Sequence, residues 1–400
     1  MNLLVVSNFP SGRHALAAIY LRDTLREVAG LGHRITVLAP RVWVPWPLGY
    51  VSRYAAYLKE AYHEEQEGIP VYRPAHPRPP GRWFVAHEGR SMASCSQRLI
   101  RKLHRVRRFD AVLGYAVLPY GDCAVRIGGR LSIPTACVAI GSDLHVFARM
   151  SRRTNRLARR TLSGAALVLT NSEELNRVAV EMGAAPERTR TYYKGIDLRP
   201  YEAVPEPAHA RQRLGLPNHG MIVTFTGRLM RSKGVFELLE AFKRTLATHA
   251  DSHLLLIGEP IELRTLKERA AELEIADRVR CPGMVPRSHI PDYLAASDLY
   301  VLPSHHEGIS NGLLEAMAAG RAVVTTPVGG LTEVVRDGIN GRLVQPRDAT
   351  ALAAVMSELL ADRQQAERLG RAARETVFSR FDTRRNAAEL ADLVRKMSAP

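Results

Sequence analysis

Short runs of aliphatic and β-branched residues alternate with amphipathic stretches along the whole chain, a rhythm that predicts a parallel α/β architecture. In the first half the predicted strands span residues 3–8, 34–40, 111–116, 134–141 and 166–171. Between the first two, "LAAIYLRDTLREVAGLG" has helical periodicity and ends in a glycine stop. The rhythm breaks at residues 194–220, where proline and polar residues accumulate, and this stretch reads as an interdomain linker. A second series of strands is predicted at 221–227, 252–258, 278–283, 299–304, 321–326 and 341–346. The pattern therefore predicts two Rossmann-like halves of similar size, with no sequence repeat between them.

Composition narrows this picture. A chain of 400 residues exceeds what one core usually holds, so two domains are expected. Lys and Arg number 56 against 40 Asp and Glu, a net charge of +16 that favours anionic partners. The four cysteines, Cys95, Cys123, Cys137 and Cys281, are too scattered for a metal-type pair and read as reduced core residues of a cytoplasmic protein. The start "MNLLVVSNFP" lacks a basic leader and reads as a first strand. No apolar run reaches the roughly 18 residues of a spanning helix, so membrane contact is expected to be peripheral.

Ligands of parallel α/β domains bind beyond the carboxyl ends of the strands. Two such places stand out. "TFTGRLMRSKGV" follows a predicted strand and opens a helix; Gly227 lets backbone approach a ligand, and Arg228 and Lys233 add positive charge where free amides already favour an anion. A plain glycine turn with two solvated cations has the same signature. "SHHEGISNGLLEAMAAG" follows another strand, with Ser310 or Asn311 as helix cap and Gly320 as stop. Glu307 precedes the cap and Glu315 lies about one turn inside the helix. The turn offers amide donors while the carboxylates offer only acceptors. That set suits a ligand with phosphates in the middle and hydroxyl-bearing groups on both sides, as in a nucleotide sugar. Taken singly, Glu315 also reads as a helix former, Glu307 as a capping carboxylate, and Glu333 beyond Gly329-Gly330 as structural.

The Glu307-x7-Glu315 spacing within "PSHHEGISNGLLEAMAAGRAVVTTPVGGLTEVV" strongly resembles the donor signature of the family-4 retaining glycosyltransferases of the GT-B fold. "GRLMRSKGV" resembles their phosphate segment, and "YYKGIDLRPY" their interdomain element, with Lys194 where asparagine is usual. "NFPSGRHALAAIYLRDTL" and "GSDLHVFAR" resemble the branch that makes teichuronic acid and exopolysaccharides. Ile140 stands where relatives carry His or Arg, and residues 113–121 lack the branch's histidines.

The resemblance implies two facing Rossmann-like domains with a donor/acceptor cleft. The acceptor domain would be 1–197, the linker 198–217 and the donor domain 218–377, with a terminal helix over 378–400 crossing back to the first domain. It implies transfer of a hexosyl unit from a UDP- or GDP-sugar to a glycan or lipid-linked acceptor, with retention and without metal. The implied donor contacts are Gly12, Gly227, Arg228, Lys233, Gly258, Met284 and Val285. The stretch Glu307, Gly308, Ile309, Ser310, Asn311, Gly312 and Leu313, followed by Glu315, completes the set. Arg228 and Lys233 would neutralise the leaving diphosphate, Glu307 would hold the sugar and Glu315 the ribose. Asp143 is the polar candidate at the reaction centre, with an N-cap as its other reading.

The surplus charge concentrates in the first half. Arg149, Arg152, Arg153, Arg156 and Arg160 share one helical face, and residues 98–108 form a second basic run. With Trp43, Trp46 and Tyr50 nearby, they suggest peripheral attachment to an anionic inner leaflet, a solvated basic face being the other reading. A nucleotide-sugar epimerase, a sugar-phosphate synthase or a non-catalytic binder would share the donor pocket. Nucleic-acid binding is disfavoured by the absence of a recognition motif, and a dehydrogenase by the lack of G-x-G-x-x-G after the first strand.

Overall fold

The computed structural model describes residues 1–10, 19–45, 60–78 and 84–398. The chain divides into two units, Met1–Gly195 with Thr383–Pro400, and Ile196–Asp382.

In the first unit the strands are β1 (Asn2–Val6), β2 (Arg34–Leu38), β3 (Arg41–Val42), β4 (His63–Gln66) and β5 (Ile69–Tyr72), then β6 (Ala75–His76), β7 (Ala111–Tyr115), β8 (Thr135–Ala139), β9 (Leu167–Thr170) and β10 (Thr189–Thr191). Eight of them form one sheet in the order β10-β9-β8-β7-β1-β2-β5-β4, while β3 pairs with β6 separately. Among the described strands, only β4 runs antiparallel to its neighbour. Leu4, Val5 and Val6 of β1 are fully buried, which is why that strand reads as an unbroken apolar run.

The helix Thr383–Ser398 returns to this unit and packs on the helix Ile19–Gly30. Ala387, Leu390, Ala391 and Val394 enter the same core as Leu25 and Val28, and Asn386 donates to the Tyr193 carbonyl at 2.6 Å. The preceding helix, Arg363–Arg380, belongs to the second unit, so the chain changes unit near Asp382 rather than at residue 378.

The second unit holds β11 (Ile222–Thr226), β12 (His253–Ile257), β13 (Val279–Gly283), β14 (Leu299–Leu302), β15 (Ala322–Thr325) and β16 (Arg342–Leu343). They form one sheet in the order β13-β12-β11-β14-β15-β16, and every pairing is parallel. This is the Rossmann order, whose direction of winding reverses between β11 and β14. Ligand-binding loops are expected at that switch point.

The proline-rich stretch at 198–217 departs from the expected linker. Pro207 starts a helix, Pro207–Leu214, and Gly215 ends it with φ +59°. Arg211 is buried and donates to the Ala296 carbonyl at 3.0 Å while pairing with Asp298 at 2.6 Å. Those bonds make the segment an integral part of the second unit.

Candidate active site

The loops after β11 and β14 flank the switch point of the second sheet. After β11 the chain runs through Gly227 and Arg228 into a single 3-10 turn, Arg231–Lys233, and then the helix Val235–Thr245. Arg228 is exposed, and its guanidinium has no ion pair or hydrogen bond among the described residues. Lys233 sits just before the cap Gly234 rather than inside the helix. Gly234 has φ +71°, and a Cβ there would lie 1.9 Å from the Pro303 carbonyl oxygen. Only glycine lets this loop abut the end of β14 so closely.

After β14, Ser304 to Ser310 form the second loop, and Ser310 caps the helix Asn311–Ala318 by accepting from Leu313 N–H at 3.4 Å. The amides of Asn311 and Gly312, in the first turn, have no intrahelical carbonyl to reach. Gly312 rests on Thr226 and Tyr300 at the switch point, and the Tyr300 hydroxyl lies 3.0 Å from Thr226 Oγ1. Burial raises the Tyr300 phenol above its usual range, so it stays a neutral floor beneath the helix start. Gly329, with φ +53°, lies so close to the Glu307 carbonyl that a Cβ would come within 1.9 Å of it. The Gly329-Gly330 turn therefore braces the Glu307 loop.

The charged side chains of the two loops meet. Lys233 pairs with Glu307, and Ser304 Oγ donates to the same Glu307 oxygen at 3.2 Å. His305 Nε2 lies 3.0 Å from Glu237 at the side of the pair. Glu315 is buried, 5% exposed, with Arg287 Nε 3.9 Å away. The sequence reading separated cations for phosphate from acids for hydroxyls, whereas here each glutamate has a cation beside it. Arg287 was missed by that reading; its signal is its place just beyond the carboxyl end of β13. Asn311 Oδ1 is buried and accepts no hydrogen bond among the described residues. Gly258 follows β12 and donates to the Gly283 carbonyl at 2.9 Å, and Met284, 53% exposed, follows β13 with Val285.

In the first unit, Asp143 occupies the corresponding kind of position, after β8 and next to the loop after β7. It is fully buried. Its carboxylate accepts from Val117 N–H at 2.7 Å, Gly141 N–H at 2.9 Å, and Ile140 and Leu144 N–H at 3.1 Å. Burial pushes this carboxyl up while the amides pull it down, burial being the larger effect. Its oxygens thus tie two strand-end loops together and none faces solvent, while the cap position of the short helix Ser142–His145 is Gly141. Trp43 is 55% exposed. Arg149, Arg152, Arg153 and Arg156 are all exposed, the last three on the helix Arg152–Gly164. Gly12, Trp46 and Tyr50 lie outside the described residues.

Known proteins resemble this chain in sequence and in fold. The "Glycosyl transferases group 1" family model matches residues 208–376, and the "Glycosyl transferase 4-like domain" model matches residues 17–195. A Bacillus subtilis protein named as a teichuronic acid biosynthesis glycosyltransferase, TuaC, is 28% identical over 97% of this chain and 96% of its own length. The N-acetyl-alpha-D-glucosaminyl L-malate synthase of Bacillus anthracis is 30% identical over 68% of this chain and 71% of its own. The structure of Anabaena HepE in complex with UDP and glucose is similar with a TM-score of 0.77 and 21% identity, covering 99% of this chain and 100% of that one. The chain belongs to the group 1 glycosyltransferases, with the GT-B fold.

Proposed function

We propose that the second unit binds a nucleoside diphosphate sugar and that the protein transfers its hexosyl unit, with retention and without a metal, to a glycan or lipid-linked acceptor of a cell-surface polysaccharide. The observation that carries this reading is the meeting of the β11 and β14 loops at the switch point. Together they offer the exposed Arg228, the Lys233–Glu307 pair, and a helix start with free amides. Diphosphate fits the amides and cations. Hydroxyls fit the acceptors, Glu315 for the ribose diol and the unpartnered Asn311 Oδ1 with Glu307 for the sugar.

Each chemical role follows from these groups. A diphosphate beside Lys233 competes with Glu307 for the ammonium and frees a carboxylate oxygen for a sugar hydroxyl. Arg228 and Lys233 then take up the charge that grows on the leaving phosphate, the role a divalent cation plays in other enzymes. Such electrostatic stabilisation is strongest where donors are already oriented, as the amides at the capped helix start are. The acceptor hydroxyl attacks on the face the diphosphate leaves.

Names of relatives support the choice of polymer. TuaC carries teichuronic acid biosynthesis in its name, and UDP with glucose is bound in the HepE structure. Among the described residues no helix is long and apolar enough to cross a membrane. Peripheral attachment to an anionic leaflet is supported by Val146 and Phe147, 57% and 37% exposed beside the arginines at 149, 152, 153 and 156.

The test is a thermal-shift panel of uridine, guanosine, adenosine and thymidine diphosphate sugars, followed by anomer-resolved product analysis with and without EDTA. One donor should stabilise the protein and give an α-linked product from an α-linked donor in either condition. No stabilisation by any donor would contradict the reading, and an inverted product would overturn its stereochemistry.

A further inference from the structure

The first unit carries most of the molecule's charge excess. Residues 84–164 hold fifteen Lys or Arg against four Asp or Glu, +11 of the total +16. Part of that excess converges on a cleft between the helices Asp122–Leu131 and Arg152–Gly164. The cleft, about 200 Å³ in volume, is lined chiefly by Arg126, Arg130, Arg160, Asp122, Gly129 and Thr161.

The three arginines differ in how they are compensated. Arg126 Nε is held by both oxygens of Asp122, at 2.9 and 3.0 Å, so that pair is close to neutral. Arg130 donates from Nη1 to the Ala93 carbonyl at 3.0 Å, which orients its fork without cancelling its charge. Arg160 is exposed and has no ion pair among the described residues. Thr161 turns its hydroxyl back onto the Leu157 carbonyl at 2.9 Å, leaving guanidinium groups as the donors. Gly129 keeps the floor open, since a Cβ there would meet nothing within 4 Å.

We propose that this cleft is an accessory binding site for a phosphate ester, gripped by Arg130 and Arg160 and walled by the Arg126–Asp122 pair. The site is separate from the strand-end loops of the second unit, and the proposal does not rest on the activity assigned to them. The chemistry is that of planar, donor-only forks facing an anion with several acceptor oxygens. Two guanidinium groups without a carboxylate of their own are the electrostatic match for a dianion, and Arg130 is already held in place by its bond to the Ala93 carbonyl. The phosphate can be free or part of a lipid headgroup, and the two sources separate experimentally.

The 400-residue chain carrying Arg228→Ala and Lys233→Ala removes phosphate binding at the other candidate site. In that background, inorganic phosphate is titrated by calorimetry against the same protein with Arg130→Gln and Arg160→Gln added. Saturable binding should weaken roughly tenfold for each arginine lost, while the melting curve stays unchanged because both side chains are at the surface. Gly129→Leu, which fills the cleft without altering charge, should weaken binding as well. Cosedimentation with vesicles of phosphatidylcholine, with and without phosphatidic acid, then identifies the source. Arginine-dependent capture only with phosphatidic acid assigns the site to a lipid headgroup; phosphate binding without capture assigns it to a soluble ester. Phosphate affinity that is absent from the start, or indifferent to all three substitutions, would overturn the proposal.

Discussion

Two acidic residues at strand ends, Asp143 in the first unit and Glu307 in the second, look alike in sequence and differ in structure. Asp143 is wholly buried, with its oxygens committed to four backbone N–H groups. Glu307 is partly exposed and held by two side chains, Lys233 and Ser304, that a ligand can displace. Backbone partners fix a loop permanently, whereas side-chain partners leave charge available for exchange. The first acid holds its loops through main-chain partners; the second keeps side-chain partners that can exchange.

The comparison breaks first at Asp143. Asp143→Ala orphans the four amides in a buried site and should destabilise the first unit by about 3–5 kcal/mol, measured by urea unfolding. Asp143→Asn should recover only part of this, because its carbonyl oxygen still accepts while its NH2 cannot. Glu307→Gln should shift unfolding by less than about 1 kcal/mol while reducing transfer. Equal destabilisation by Asp143→Ala and Glu307→Gln would erase the distinction.

The second expectation concerns pH. His76, buried in the first unit, is held down to about 4 by burial, against the pull of the Pro77 carbonyl. A folded-state value below the unfolded one means that the unfolded chain binds the extra proton between about 6.5 and about 4. Stability from the neutral imidazole is therefore complete above that window and falls as pH drops through it, by on the order of 3 kcal/mol. His76→Gln should flatten this slope in melting curves taken across the window.

Smaller effects separate Lys233 from Glu315 in the second unit. Lys233→Ala should lower turnover about a hundredfold and affect donor binding less. Glu315→Ala should weaken donor binding about tenfold, with turnover at saturation less affected. Steady-state kinetics with the identified donor read both.

How much of this was legible follows from the same physics. The strands of the second sheet could be read nearly to the residue, because buried parallel strands such as "LLLI" at 254–257 have apolar side chains on both faces. β4, "HEEQ", escaped notice because it is polar and half-exposed at the sheet edge. The helix at 207–214 was hidden by its prolines, one of which starts it. Glu307 and Lys233 were legible as residues of one site, but their mutual pairing was not, since 74 residues separate them. Asp143 was legible as a polar residue at a strand end; that its carboxylate also reaches Val117 N–H depends on the approach of the loop after β7, which residue identity does not encode.

The central claim is that the cations after β11 and the helix start after β14 clasp a diphosphate. Calorimetric titration of the preferred nucleoside diphosphate into wild type and the Arg228→Ala, Lys233→Ala double variant tests it most directly. The account predicts one saturable site in the wild type, weakened at least about a hundredfold in the variant. Unchanged affinity in the variant would contradict it.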